Sequence, residues 1–210
     1  DGTGSGPEAG GALYSLGDVS ILDSTIADNT ANGAGGGIYS NGTLAVMNST
    51  LSGNTSGGGD GGGIHSAGGT VALLNCTLHN NSAVSGGGIN KDAGTATLTN
   101  SILVGNQASG SGADAQGILV SGGGNLVGDP QGSSDAFVGD LTGVTAGTVL
   151  DTHLLVNGGS TPTHSLLGDS PAIDAGLNAA LGSLLTTDQR GAGFARIENG
   201  TVDIGAYEVR

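Results

Sequence analysis

Apolar residues recur along the first half of the chain in three patches per repeat. The first patch follows a glycine run: Gly10-Gly11-Ala12-Leu13, Gly35-Gly36-Gly37-Ile38, Gly61-Gly62-Gly63-Ile64 and Gly86-Gly87-Gly88-Ile89. The step from Leu13 to Ile38 is 25 residues, that to Ile64 is 26, and that to Ile89 is 25. The second patch alternates, as Val19 and Ile21, Leu44 and Val46, Val71 and Leu73, Ala96 and Leu98. The third closes a short block: Asp23-Ser24-Thr25-Ile26, Asn48-Ser49-Thr50-Leu51, Asn75-Cys76-Thr77-Leu78 and Asn100-Ser101-Ile102-Leu103. Three residues after each block stands an asparagine: Asn29, Asn54, Asn81 and Asn106.

Alternation with period two predicts strands. Three short strands joined by Gly/Asn/Ser turns make one coil, and stacked coils pair equivalent strands in parallel, about 4.8 Å apart. A constant period of this length is that of a solenoid. The expected fold is all-β, a right-handed parallel β-helix of seven or eight coils. A helical solenoid does not fit, because Gly, Asn and Thr are poor helix formers and no 3.6-residue apolar period is sustained. Residues 1–110 read as regular coils. Residues 111–156 read as irregular coils with Gly-rich loops. Residues 157–210 form a C-terminal section of different texture, expected to pack as last coils or as a cap.

The Asn29, Asn54, Asn81, Asn106 row reads as a structural ladder in which each amide bonds its neighbour and nearby backbone. A row of ligand-binding amides is the functional alternative. The glycine runs suit turns with positive φ and close backbone approach. They lack the strand-to-helix setting of a phosphate loop.

Composition narrows the partners. Glycine makes up 45 of 210 residues, against an average share of roughly 7%, without a collagen period. The net charge is -14, with Lys91, Arg190, Arg196 and Arg210 as the only cations. Nucleic-acid binding needs Lys and Arg to neutralise phosphates, so no nucleic-acid partner is expected. No apolar run is long enough for a transmembrane segment. Cys76 is the single cysteine, so no intramolecular disulfide forms. It replaces the serine of the equivalent blocks, which predicts a tolerated small residue and not a nucleophile.

Two regions resemble known families. The N-terminal coils, with Leu51-Ser52-Gly53-Asn54-Thr55, look like the repeats of polymorphic outer-membrane-protein-type β-helices. Further on stand Asn125-Leu126-Val127-Gly128-Asp129, Asn157-Gly158-Gly159-Ser160-Thr161-Pro162-Thr163-His164, Ser170-Pro171-Ala172-Ile173-Asp174-Ala175-Gly176, Thr187-Asp188-Gln189-Arg190-Gly191 and Val202-Asp203-Ile204-Gly205-Ala206-Tyr207-Glu208. This series resembles the choice-of-anchor Q family of bacterial surface β-helix proteins. The resemblance implies a secreted or extracellular cell-surface protein. It transfers no catalytic residue.

The expected function is therefore structural or adhesive, with a cell-surface ligand or extracellular glycan as partner. End-to-end stacking of coils into a homo-oligomer or filament is an extension of it. Asp1 to Ala9 shows no amphipathic cap, and open strand edges template pairing. The alternative is a polysaccharide-active enzyme. A lyase would use Lys91 or Arg190 as base beside Ca²⁺. A hydrolase would draw a carboxylate pair from Asp174, Asp188, Asp203 and Glu208. In the motifs themselves, His164, Asp174, Asp188, Arg190, Asp203 and Glu208 read as structural. No cofactor is required. Weak Ca²⁺ candidates are Asp60, Asp92 and Asp129, with Asp114 and Asp140 in similar Gly-rich loops. His65, His79, His153 and His164 have no metal-ligand spacing.

Overall fold

The computed structural model describes residues 9–134, 137–183 and 185–210. The chain is an all-β parallel solenoid of about 5 turns, with about 25 residues per turn. The first coil holds β1 (Leu13–Ser15), β2 (Val19–Leu22), β3 (Thr25–Ala27) and β4 (Thr30–Ala31). The second holds β5 (Ile38–Ser40), β6 (Leu44–Met47), β7 (Thr50–Ser52) and β8 (Thr55–Ser56). The third holds β9 (Ile64–Ser66), β10 (Thr70–Leu74), β11 (Thr77–His79) and β12 (Ser82–Ala83). In the fourth, β13 (Ile89–Thr99) replaces two strands and is followed by β14 (Ile102–Val104) and β15 (Gln107–Ala108). The last holds β16 (Ala115–Ser121), β17 (Leu126–Val127) and β18 (Leu141–Thr142).

The strands form three parallel sheets. One runs β1-β5-β9-β13-β10-β6-β2, with β16 beside β13; the second runs β18-β17-β14-β11-β7-β3; the third runs β15-β12-β8-β4. Four strands per coil replace the expected three, because the first two share a sheet and β13 passes through both. Register follows the repeat. Ile38 pairs with Ile64, Ile64 with Ile89, and Ile89 with Ala115. The fifth copy of the glycine motif is thus Gly112-Ala113-Asp114-Ala115, which the sequence pattern alone does not reveal.

Three left-handed corners turn each coil. Asp23, Asn48, Asn75 and Asn100 hold φ of 48°, 52°, 52° and 47° before the second sheet. Asp28, Gly53, Asn80 and Gly105 turn into the third sheet, and the leading glycines of the runs turn back into the first. Asn, Asp and Gly are the residues that tolerate this region. The later glycines are needed for a different reason. A Cβ on Gly36 would stand 2.5 Å from the Gly62 carbonyl oxygen, so the backbones stack too closely for any side chain.

Inside the coils, Ile38, Leu44, Val46, Leu51 and their equivalents in the third and fourth coils are buried. Beside them runs the asparagine row. Asn29 Nδ2 donates to Asn54 Oδ1 at 2.9 Å, Asn54 Nδ2 to Asn81 Oδ1 at 2.9 Å, and Asn81 Nδ2 to Asn106 Oδ1 at 2.9 Å. Each Oδ1 also accepts the backbone N–H of the preceding asparagine. The other amide hydrogen reaches the Ile26, Leu51 or Leu78 carbonyl. The donors all point toward the C-terminal coils, so the row must end on a pure acceptor. That acceptor is Asp114: its Oδ1 takes Asn106 Nδ2 at 2.7 Å and Asn106 N at 3.0 Å, and its Oδ2 takes the Asp129 N–H. A neighbouring column ends in the same way. Ser101 N donates to Asn125 Oδ1, and Asn125 N to Asp140 Oδ1.

The solenoid has about 5 turns, against the expected seven or eight. After the short helix α1 (Ala146–Val149), the C-terminal section lies along the outer face of the second sheet and bonds to successive coils. Thr25 Oγ1 donates to the Pro162 carbonyl, Thr50 Oγ1 to Gln189 Oε1, and the Ala206 N–H to Thr77 Oγ1. Ile102 and Val104, on the outer face of β14, enter a second core with Val149, Leu150, Leu166, Ala172 and Ile204. Both faces of this sheet are covered, which is why all three residues of β7, β11 and β14 are buried. Gly205 makes the approach possible, since a Cβ there would meet Ile102 Cδ1 at 2.7 Å.

Replacing Asn81 by Ala strands the Asn54 N–H and amide donors and the Leu51 carbonyl inside the coil. The expected loss is about 2–4 kcal/mol, from more than one buried unsatisfied group. Exposed Asn32→Ala should change stability by less than about 0.5 kcal/mol. Urea unfolding of the two variants checks this; equal costs would contradict the ladder's role.

Candidate functional site

Two groupings of polar side chains stand outside the coil interior. The first is the seam between the C-terminal section and the second sheet. Arg190 is clamped between the Phe194 and Tyr207 rings, its guanidinium carbon 3.9 Å and 3.8 Å from their centroids. Its Nε and Nη2 donate to Asp188 Oδ2 at 2.9 Å and 2.6 Å. Asp188 also accepts the Arg190 and Glu208 backbone N–H groups. Arg196, which no motif marks, is 1% exposed. It donates to the Asp203 and Gly205 carbonyls, lies 3.5 Å from Glu208 Oε2, and reaches the corner asparagines. Asn48 Oδ1 accepts from it at 3.4 Å, and the Asn75 amide oxygen faces its Nε and Nη2 at 3.2 Å and 3.0 Å. Asp203 accepts the Asp174 and Val209 N–H groups, and Glu208 those of Glu198 and Asp203. Burial pushes Glu208 up to about 7, against the opposing pull of its backbone donors and Arg196.

This arrangement bears on the enzyme candidates. Asp188, Asp203 and Glu208 are buried and face backbone donors, whereas Asp174 is exposed. Lys91 is also buried, donating to Ser66 Oγ at 2.9 Å and to the Gly68 carbonyl at 2.7 Å. Three of the four cations therefore lie inside, and Arg210 is the exposed one. Cys76 is fully enclosed, and burial pushes its thiol up to about 12, which leaves it unreactive.

The second grouping is a column on the outer face of the first sheet, built from equivalent positions of β1, β5, β9 and β13: Tyr14, Tyr39, His65 and Asn90. The Tyr14 and Tyr39 rings stack at 4.8 Å and 8°, and Tyr39 and His65 at 5.3 Å and 22°. Asn90 Nδ2 donates to Asp92 Oδ1 at 2.6 Å and faces His65 Nδ1 at 3.3 Å, while His65 Nε2 faces Asp92 Oδ2 at 3.4 Å. Burial holds His65 below its ordinary value, with Asp92 and Asp60 pulling the other way. A neutral ring with Nε2–H toward Asp92 and Nδ1 toward Asn90 has no free lone pair to act as a general base. The sequence contains these residues but no signal that aligns them; register alone does.

Of the Ca²⁺ candidates, Asp60 and Asp92 flank His65, while Asp129 stands on another corner beside Asp114. Among the described residues no group of three or more His, Cys, Asp or Glu is arranged to hold a metal ion. Comparison with protein-family models, curated proteins and solved structures gives no match. The class defined by the fold is that of parallel β-solenoids.

His164 belongs to the seam. Its Nδ1 lies 2.8 Å from the Asp151 carbonyl and its Nε2 2.9 Å from Ser52 Oγ, and its ring meets His79 edge-on at 4.9 Å. The Asp151 carbonyl makes Nδ1 a donor, and in the neutral ring Nε2 accepts from the Ser52 hydroxyl. Burial pulls its pKa down to about 4. A base depressed from about 6.5 gives stability that is complete above 6.5 and is lost as pH falls toward 4. Asp114 and Glu208, raised by burial, act with the opposite sign. The test is therefore a difference. The stability gap between the parent chain and His164→Gln should narrow by roughly 2–3 kcal/mol from pH 7 to pH 4.5. A constant gap in chemical unfolding would contradict the assignment.

Proposed function

We propose that this chain is a structural and adhesive β-solenoid of a secreted or cell-surface protein. The observation that carries the reading is where the ionic side chains lie. The conspicuous Asp, Glu and Arg of the C-terminal motifs hold that section against the coils, Lys91 serves the interior, and His65 of the outer column is tied to Asn90 and Asp92. The chemistry left at the surface is that of binding. The same motifs carry the resemblance to the choice-of-anchor Q family of bacterial surface proteins, which favours the extracellular setting. Membrane spanning by a helix is not part of the reading: among the described residues no helix is long and apolar enough to cross.

End-to-end assembly extends the proposal. Leu13, Val19, Ile21 and Ile26 of the first coil are only partly buried, whereas Ile38, Leu44, Val46 and Leu51 of the second are at 0%. An apolar coil end of this kind favours stacking on another coil. The expected absence of a cap over Asp1–Ala9 falls, except for Ala9, outside the described residues.

The test is binding without turnover. The purified chain should co-sediment with insoluble polysaccharide or bacterial cell envelope. It should release neither new reducing ends nor ultraviolet-absorbing unsaturated products from polygalacturonate or neutral glycans. Product formation that disappears in Lys91→Ala or Arg190→Ala would overturn the reading in favour of the enzyme. Absence of any retention would remove its adhesive part.

A further inference from the structure

The outer column of the first sheet has the properties of a recognition strip. Tyr14 is 46% exposed and the Asp92 side chain 52%. Among the described residues neither the Tyr14 nor the Tyr39 hydroxyl has a hydrogen-bond partner, nor does the Asp60 carboxylate. His65, Asn90 and Asp92 are by contrast tied to one another, and so hold fixed positions. Free donors and acceptors thus stand one coil apart beside Asp92, which the buried His65 and Asn90 hold in place. Fixed polar groups bind with less loss of side-chain entropy than mobile ones.

The stacking limits what docks there. Tyr39 is sandwiched between Tyr14 and His65, so its ring faces are covered and its hydroxyl edge is what a ligand meets. An apolar or aromatic ligand gains little from such edges. A chain of hydroxyl groups, repeating along the solenoid axis, matches them. Charge narrows the class further. Asp60 and Asp92 are acidic, and the nearest cation, Lys91, is 1% exposed and directed inward to Ser66 and Gly68. An acidic polysaccharide meets repulsion here and finds no guanidinium or ammonium partner. Carboxylates accept well from sugar hydroxyls.

We propose that Tyr14, Tyr39 and Asp92, held in place by the buried His65 and Asn90, form a binding strip for an extended neutral glycan, lying along the solenoid axis and read by hydrogen bonds to its hydroxyl groups. The proposal rests on the adhesive reading above and gives that reading a ligand class and a location.

Calorimetric titration with pentasaccharides of β-1,4-linked glucose and N-acetylglucosamine, and with a galacturonate oligomer, tests it. Binding of at least one neutral oligomer and none of the acidic one is expected. Tyr39→Phe, which keeps the stack and removes one hydroxyl, should weaken binding about fivefold, and Asp92→Ala tenfold or more. Unchanged circular dichroism and melting would show that both variants fold. Neutral binding that neither variant alters, or preference for the acidic oligomer, would overturn the strip while leaving the adhesive reading in place. Failure of the parent chain to bind any oligomer, although it co-sediments with envelope, would likewise overturn only the strip. Failure in both experiments would remove both.

Discussion

The fold depends on a hydrogen-bond chain with a direction. Asn54, Asn81 and Asn106 each give their amide hydrogens to the next coil's Oδ1 and to a carbonyl of the preceding coil, while their own Oδ1 receives two donors. Such a chain specifies coil length, because a slip of one residue would take each amide out of line with the Oδ1 of the next coil. It also requires a terminus that accepts without donating. A carboxylate meets that need, and Asp114 supplies it although burial pushes it up to about 6. The cost of enclosing a carboxylate is offset by its three hydrogen bonds, two from Asn106 and one from the Asp129 backbone.

The same logic explains the flank. A parallel sheet with Thr, Ser and His outward on one face is half-solvated and narrow. Covering it with the C-terminal section gives the asparagines of the first corner partners there: Asn48 bonds the Thr187 carbonyl, Asn75 faces Arg196, and Asn100 exchanges bonds with Leu177. The left-handed corners thereby become anchor points for the section that carries the sequence motifs. With two faces of the second sheet buried, the free surfaces are the outer faces of the other two sheets, and the first of these carries the aromatic and polar column.

Much of this was legible in the residues. The 25-residue spacing, the alternation and the asparagine positions define parallel coils directly, because each coil repeats the same local problem. The terminators were not legible. Asp114 follows Asn106 by only eight residues, since it enters the ladder from the glycine-run column. The third glycine of each run, such as Gly63, already sits beside the asparagine amide: a Cβ there would lie 3.3 Å from Asn81 Cγ. A side chain at that place points into the ladder, but only the stacked structure makes this visible. Arg196 escaped for a similar reason, since the corner asparagines it reaches lie about 120–150 residues away. Lys91 and Asp188 carried residue types suited to catalysis, and only their burial showed them engaged elsewhere. The Tyr14–Tyr39–His65 stack is composed of different residue types, so no repeat signal marks it; only the register of the coils aligns it.

The most direct measurement of the central claim is hydrogen exchange by NMR at the ladder. The backbone amides of Asn54, Asn81 and Asn106 stand at corners, where turn amides ordinarily exchange through small local openings. With Oδ1 of the next coil as acceptor, they should exchange only through global unfolding, as slowly as the amides of β10 and β11, and their Nδ2 hydrogens should show matching protection. Rapid exchange of these amides, at rates typical of exposed turns, would contradict the account.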